Sequence, residues 1–91
     1  MITVLLPVSL RDLTGGEDKV VGAGRNIGDL IPDLERRYPG IRARVCDDSG
    51  RVLRFVNIFY NDHDIRALHD LDTPIDDSGE VVILPAMAGG R

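Results

Sequence analysis

The chain has 91 residues, of which 43% are hydrophobic and 29% charged, a composition that suits one globular domain built on one modest core. With 15 acidic residues against 11 basic, the net charge of −4 argues against a phosphate-backbone partner, because nucleic-acid binding needs a clustered basic surface. The single cysteine, Cys46, excludes an internal disulfide and a multi-cysteine zinc site, and no stretch is apolar for long enough to span a bilayer.

The first segment alternates. Ile2, Val4, Leu6, Val8 and Leu10 share one face, and this period of two predicts a strand that ends or bulges near Pro7, which cannot donate to a ladder. Thr14-Gly15-Gly16 is a turn, and Lys19–Val21 a short second strand completing an N-terminal hairpin. Next comes a helix. Ile27, Leu30, Ile31, Leu34 and Tyr38 make one apolar stripe, and Pro39-Gly40 stops it. Its start is open between two caps. Asn26 would leave Pro32 in the helix interior, whereas Asp29 would put Pro32 in the tolerated first turn. Arg36 and Arg37 fall at the helix end, where cations suit the dipole.

Asp48-Ser49-Gly50 is a turn, and Val52–Tyr60, rich in Val, Ile, Phe and Tyr, is the clearest strand in the chain. Asn61-Asp62 closes it. Residues Ile65 to Pro74 suggest a loop or helical turn, and Asp77-Ser78-Gly79 launches a last strand, Val81–Leu84, which Pro85 ends. From Asn61 to Glu80 seven acids face one base, Arg66; this is a solvated surface or a face for a basic partner. The order predicts an α+β fold: a mixed sheet of four to five strands with one main helix packed across it. The domain is 1–84, followed by a C-terminal tail, 85–91. Alternation points Val56, Ile58, Tyr60, Val81 and Ile83 inward against the helix. The opposite face then presents Phe59 and Leu84, with Phe55 and Val82 nearby, as an apolar patch for partner docking.

No catalytic constellation is legible. His63 and His69 are six apart in an acidic stretch and lack the i, i+4 spacing of a helical zinc pair. Ser9, Ser49 and Ser78 lie at strand ends or turns, outside any nucleophile elbow. Cys46 is followed by Asp47 and Asp48, which would raise its pKa. The glycines form neither a P-loop nor a dinucleotide fingerprint. The N-terminus, MITVLLPVSL, has no basic leader or signal-type cleavage site, so the expected location is the cytoplasm.

The informative segment is the end, Ile83-Leu84-Pro85-Ala86-Met87-Ala88-Gly89-Gly90-Arg91. Two glycines there serve no packing purpose. A backbone without side chains can thread a narrow channel, and a glycine carboxylate is sterically open to chemistry. A C-terminal Gly-Gly alone is common by chance; after the last strand of this element order it points to an activated carboxylate.

On Thr14-Gly15-Gly16, the run RFVNIFYND (54–62), Asp64-Ile65-Arg66 and the ending ILPAMAGG (83–90), the chain resembles the MoaD/ThiS family of ubiquitin-like sulfur carriers over its whole length. Within that family the likeness is to carriers of an alternative cysteine-biosynthesis route in actinobacteria. The resemblance implies a β-grasp fold and a protein cosubstrate rather than an enzyme. An adenylating enzyme of the ubiquitin-activating type would use ATP and magnesium to activate the Gly90 carboxylate, with Gly89 beside it, and sulfur would replace AMP to give a thiocarboxylate. No cofactor would be bound by the carrier itself. The sulfur acceptor would be a biosynthetic enzyme such as a PLP-dependent cysteine synthase, the adduct being released by a zinc metalloprotease. Other branches serve molybdopterin, the thiamin thiazole or sulfur-containing secondary metabolites. Arg91 departs from the pattern, since active members end at the second glycine: a protease trims it, or it is not native to the chain, or this homologue is not activated, and trimming is the reading preferred. Alternatives of other classes are a ubiquitin-like protein modifier, a permanent small subunit of a molybdopterin-synthase-like complex, and a binding module whose tail is inert.

Overall fold

The computed structural model describes residues 1–85; Ala86–Arg91, including the diglycine and Arg91, lie outside the described residues. Strand β1 (Ile2–Leu5) buries Ile2 and Val4 and pairs antiparallel with β2 (Lys19–Gly22). The alternation does not continue to Leu10. The chain leaves the sheet at Pro7 and winds into a 3-10 turn, Val8–Thr14. Val8, expected inside, is therefore 76% exposed, while Leu10 is buried by the turn and not by a strand. Gly15 (φ 68°) and Gly16 (φ 92°) supply the left-handed geometry that returns the chain to β2.

Helix α1 (Ile27–Arg37) is capped by Asn26, whose side chain accepts from the Asp29 amide at 2.8 Å. Pro32 thus lies inside the helix, which nonetheless runs on for 11 residues. An interior proline costs about 3 kcal/mol. Ile27, Leu30, Ile31 and Leu34 are buried on the opposite stripe, and full burial of each contributes roughly 1.5–3 kcal/mol, which outweighs that cost. A second, short helix, α2 (Ile41–Val45), has no counterpart in the sequence reading; its Ile41 and Val45, one turn apart, both enter the core.

The strand expected over Val52–Tyr60 is shorter. Val52 makes only an isolated bridge to Cys46, Arg54 and Phe55 turn, and the Val56 amide donates back to the Leu53 carbonyl at 2.9 Å. Strand β3 is Val56–Tyr60. Asn61 (φ 50°) and Asp62 (φ 72°) make a two-residue hairpin turn into β4 (His63–Asp64), which pairs with Phe59 and Tyr60. Two 3-10 turns, Ile65–Ala67 and Asp70–Asp72, lead to β5 (Glu80–Pro85).

The sheet order is β2-β1-β5-β3-β4, with β1 and β5 parallel at the centre and the other pairs antiparallel. Val56, Ile58, Val81 and Ile83 are buried beneath α1 as the alternation requires. Tyr60 is only half-buried. Its ring lies against Gly79, where a Cβ would stand 2.5 Å from the ring, and its hydroxyl accepts from the Asp76 amide. A five-stranded mixed sheet with one main helix across it is the β-grasp arrangement expected. No helix among the described residues is long and apolar enough to cross a membrane.

Candidate functional site

Strand β5 enters the sheet at Glu80 and leaves it at Pro85, so the topology decides where the C-terminal segment departs. Because β5 runs parallel to β1 and antiparallel to β3, its exit lies beside Leu5–Pro7 and the start of β3. The face of the sheet turned away from α1 carries apolar side chains from β3 and β5. Phe59 sits directly opposite Val82, and Asn57 opposite Leu84. Phe59, Val82 and Leu84, with Asp62, line a shallow depression of about 260 Å3.

Phe55 does not join that face. It belongs to the irregular segment before β3 and stands 55% exposed over a second hollow of about 300 Å3. Leu10, Val45, Leu53, Leu84 and Pro85 line this groove with it. The expected single patch is therefore two neighbouring apolar surfaces that share Leu84, itself 42% exposed.

Side chains fix the borders of these surfaces. Arg44 on α2 makes a two-pronged pair with Asp12 (2.7 and 2.9 Å) and also donates to the Ser9 carbonyl, tying the helix to the 3-10 turn at the groove rim. The Arg44 hydrogen bonds hold the Asp12 carboxyl below its ordinary range. Arg11 donates to the Leu6 carbonyl. Arg66 reaches back to β3 and donates to the carbonyls of Val56 (2.8 Å) and Leu53 (3.1 Å) and to Asn57 Oδ1 (3.0 Å). On the far side of α1, Asp33, 8% exposed, accepts from the Ala23 amide at 2.8 Å and pairs with Arg37 and Arg36. The Ala23 hydrogen bond, then the two arginines, keep its carboxyl below the usual range. None of these anchors was assigned from the sequence; the only hint was Arg36 and Arg37 one turn after Asp33.

Cys46 is buried, and burial pushes its thiol up, with Asp47 adding to the shift and Arg42 opposing it. A thiol so held is not an activated nucleophile. His63 lies in β4, and His69 is exposed just before the 3-10 turn Asp70–Asp72. Gly89, Gly90 and Arg91 lie outside the described residues.

The model of the ThiS family matches residues 4–90. The sulfur carrier protein CysO of Mycobacterium tuberculosis is 47% identical over 91 residues, covering 98% of each chain, and its crystal structure superimposes with a TM-score of 0.90 over 94% of this chain and 99% of that one. The CysO-type fold in an Amycolatopsis orientalis BexX/CysO complex matches with a TM-score of 0.91 and 39% identity, covering 99% of this chain and 100% of that one. A small archaeal modifier protein of Haloferax volcanii is 34% identical over 64 residues, 70% of this chain and 68% of its own. A β-grasp body, an exit strand flanked by apolar surfaces and a family match that runs through Gly90 lead to one conclusion: the chain belongs to the ThiS family of ubiquitin-like sulfur carrier proteins.

Proposed function

We propose that this carrier holds sulfur as a thiocarboxylate on Gly90, after removal of Arg91, and that the two apolar surfaces around Leu84 dock it on its partners. The observation that carries this reading is the exit of β5. The last strand delivers the chain between both surfaces at Leu84–Pro85, with the diglycine following after three further residues, Ala86-Met87-Ala88, in sequence. Pro85 to Gly90 is six residues, which can reach roughly 20 Å from the docked body at ~3.3–3.6 Å per residue. The body then supplies affinity and the tail supplies the reacting group.

The chemistry resides in a partner. A ubiquitin-activating-type enzyme, with ATP and magnesium, lets a Gly90 carboxylate oxygen attack the α-phosphorus; the acyl–phosphate bond forms and pyrophosphate leaves. Hydrosulfide then adds at the acyl carbon, the carbon–oxygen bond to AMP breaks, and the thiocarboxylate remains with loss of one proton. The carrier is a cosubstrate throughout. Its likeness to the CysO proteins favours cysteine biosynthesis as the destination, with a PLP-dependent synthase as acceptor and a zinc metalloprotease releasing the product. A second reading, covalent modification of protein lysines through the same activated Gly90, is favoured by the likeness to the archaeal modifier protein. Products separate the two: a thiocarboxylate or a ladder of conjugates.

Adenylation is tested by ATP–pyrophosphate exchange with the organism's ubiquitin-activating-type enzymes. The Gly90-terminated protein should support exchange and the Arg91-bearing protein should not. Exchange by neither form, with folded protein, would remove the activated-carboxylate reading.

A further inference from the structure

Strand β4 pairs with β3 for only two residues, His63 and Asp64, after which the chain turns into the 3-10 segment Ile65–Ala67. Beyond that point no strand of the described residues lies beside the outer edge of β3. One side chain fills the gap. Arg66 Nη2 donates to the Val56 carbonyl at 2.8 Å and to the Leu53 carbonyl at 3.1 Å, and its Nη1 donates to Asn57 Oδ1 at 3.0 Å. The backbone amide of Arg66 is itself held by Asp64 Oδ1 at 2.9 Å, so the arm starts from a fixed base. The planar guanidinium presents donors in a rigid fork that a lysine ammonium does not reproduce.

What the fork holds is the segment that carries Phe55. Leu53 and Val56 bracket Arg54-Phe55, and both bracketing carbonyls accept from Arg66. The third acceptor, Asn57, lies opposite Leu84 in the sheet. Arg66 therefore holds two residues that line the Phe55 groove and the cross-strand neighbour of Leu84, the residue both surfaces share. It is itself exposed, and no carboxylate of the described residues lies in ion-pair range of it, so its hydrogen bonds to uncharged acceptors are its main engagement.

We infer that Arg66 is a positioning residue of the docking surface: it substitutes for the missing length of β4, fixes Leu53–Val56, and so presents Phe55 in one orientation to the activating partner. This rests on the proposed docking role of Phe55, and the test separates the two. The carrier's KM and kcat are measured in ATP–pyrophosphate exchange with the ubiquitin-activating-type enzyme of the same organism, using Gly90-terminated protein carrying R66M, R66K, F55A or R66M with F55A. Amide hydrogen exchange is measured on the isolated proteins. R66M should raise KM ~tenfold with kcat nearly unchanged, a loss of docking and not of chemistry. R66K, keeping one donor arm, should recover part of it. Exchange should quicken at residues 53–57 and stay slow in the centre of the sheet. Above all, R66M should add nothing once Phe55 is gone, because it acts through that ring. Effects that multiply would overturn the inference, as would F55A raising KM while R66M does not. F55A without effect would overturn both the inference and the docking role of Phe55, even with quickened exchange in R66M. Should R66M fail to fold, the R66K comparison, alone and with F55A, carries the same outcomes.

Discussion

Ile58 and Phe59 are neighbours in β3 with opposite surroundings, and substituting each by alanine tests the register on which both core and docking surface depend. Ile58 is 1% exposed and faces Ile83 across the β3–β5 pair, beneath α1. Truncation removes buried carbon atoms and leaves a cavity, at a cost of about 2–5 kcal/mol. For a domain of this size each kcal/mol lowers the melting temperature by about 4–8 °C, so a loss of ~3 kcal/mol should lower it by roughly 12–24 °C. Phe59 lies on the open face opposite Val82 and is only half-buried. Phe59→Ala should cost the fold less than half as much. If docking buries the ring, the lost burial of roughly 1.5–3 kcal/mol weakens binding to the activating enzyme about ten- to a hundredfold. Thermal and urea unfolding followed by circular dichroism give the first quantity, and titration calorimetry with the enzyme the second. A larger stability loss at Phe59 than at Ile58, or an unchanged melting temperature for Ile58→Ala, would refute the assigned register, since a slip of one residue exchanges the two faces.

Gly79→Ala should destabilise by about 1–3 kcal/mol, since the new methyl meets the Tyr60 ring, and thermal unfolding reads the loss directly. Acid should weaken the fold in a defined window. The carboxyls of Asp12, Asp33, Glu35, Asp47 and Asp76 are all lowered in the folded state, by hydrogen bonds from Arg44, Ala23, Arg42, Ser49 and Ser78 respectively as the first cause. Groups lowered on folding contribute in full above their unfolded values of about 4 and lose that contribution as pH falls through the folded ones. Urea midpoints should therefore be level above that range and fall below it; midpoints that rise on acidification would contradict the pairing. Gly90→Ala at the end of a Gly90-length chain should cut pyrophosphate exchange while leaving the melting temperature unchanged.

Where periodicity runs long enough, the fold was legible. The stripe Ile27, Leu30, Ile31, Leu34 gave α1, and alternation in Val56–Tyr60 and Val81–Leu84 gave both the buried and the open face. Three features escaped for separate reasons. Val8 and Leu10 continued the alternation of β1 by chance, hiding a 3-10 turn that begins at Pro7. Helix α2 holds one pair of apolar residues a single turn apart, too little for a period. The run Val52–Phe55 has strand-forming side chains, but strand propensity measures fit to a pleated surface, and among the described residues no partner strand extends there. That last error merged Phe55 with Phe59 in one patch. The anchors Arg66 and Asp33 were invisible for a further reason: their backbone partners, Leu53, Val56 and Ala23, are 10 to 13 residues away and are brought near only by the topology.

The central claim is that Gly90 carries sulfur, and intact-mass spectrometry tests it directly. Arg91-bearing and Gly90-terminated proteins are incubated with ATP, magnesium, a sulfide source and each ubiquitin-activating-type enzyme of the same organism. The Gly90-terminated protein should exchange one terminal oxygen for sulfur, and fragmentation should place that sulfur on Gly90. The Arg91-bearing protein should keep its mass until a protease removes the arginine. A Gly90-terminated protein that never gains sulfur from any of these enzymes would contradict the account.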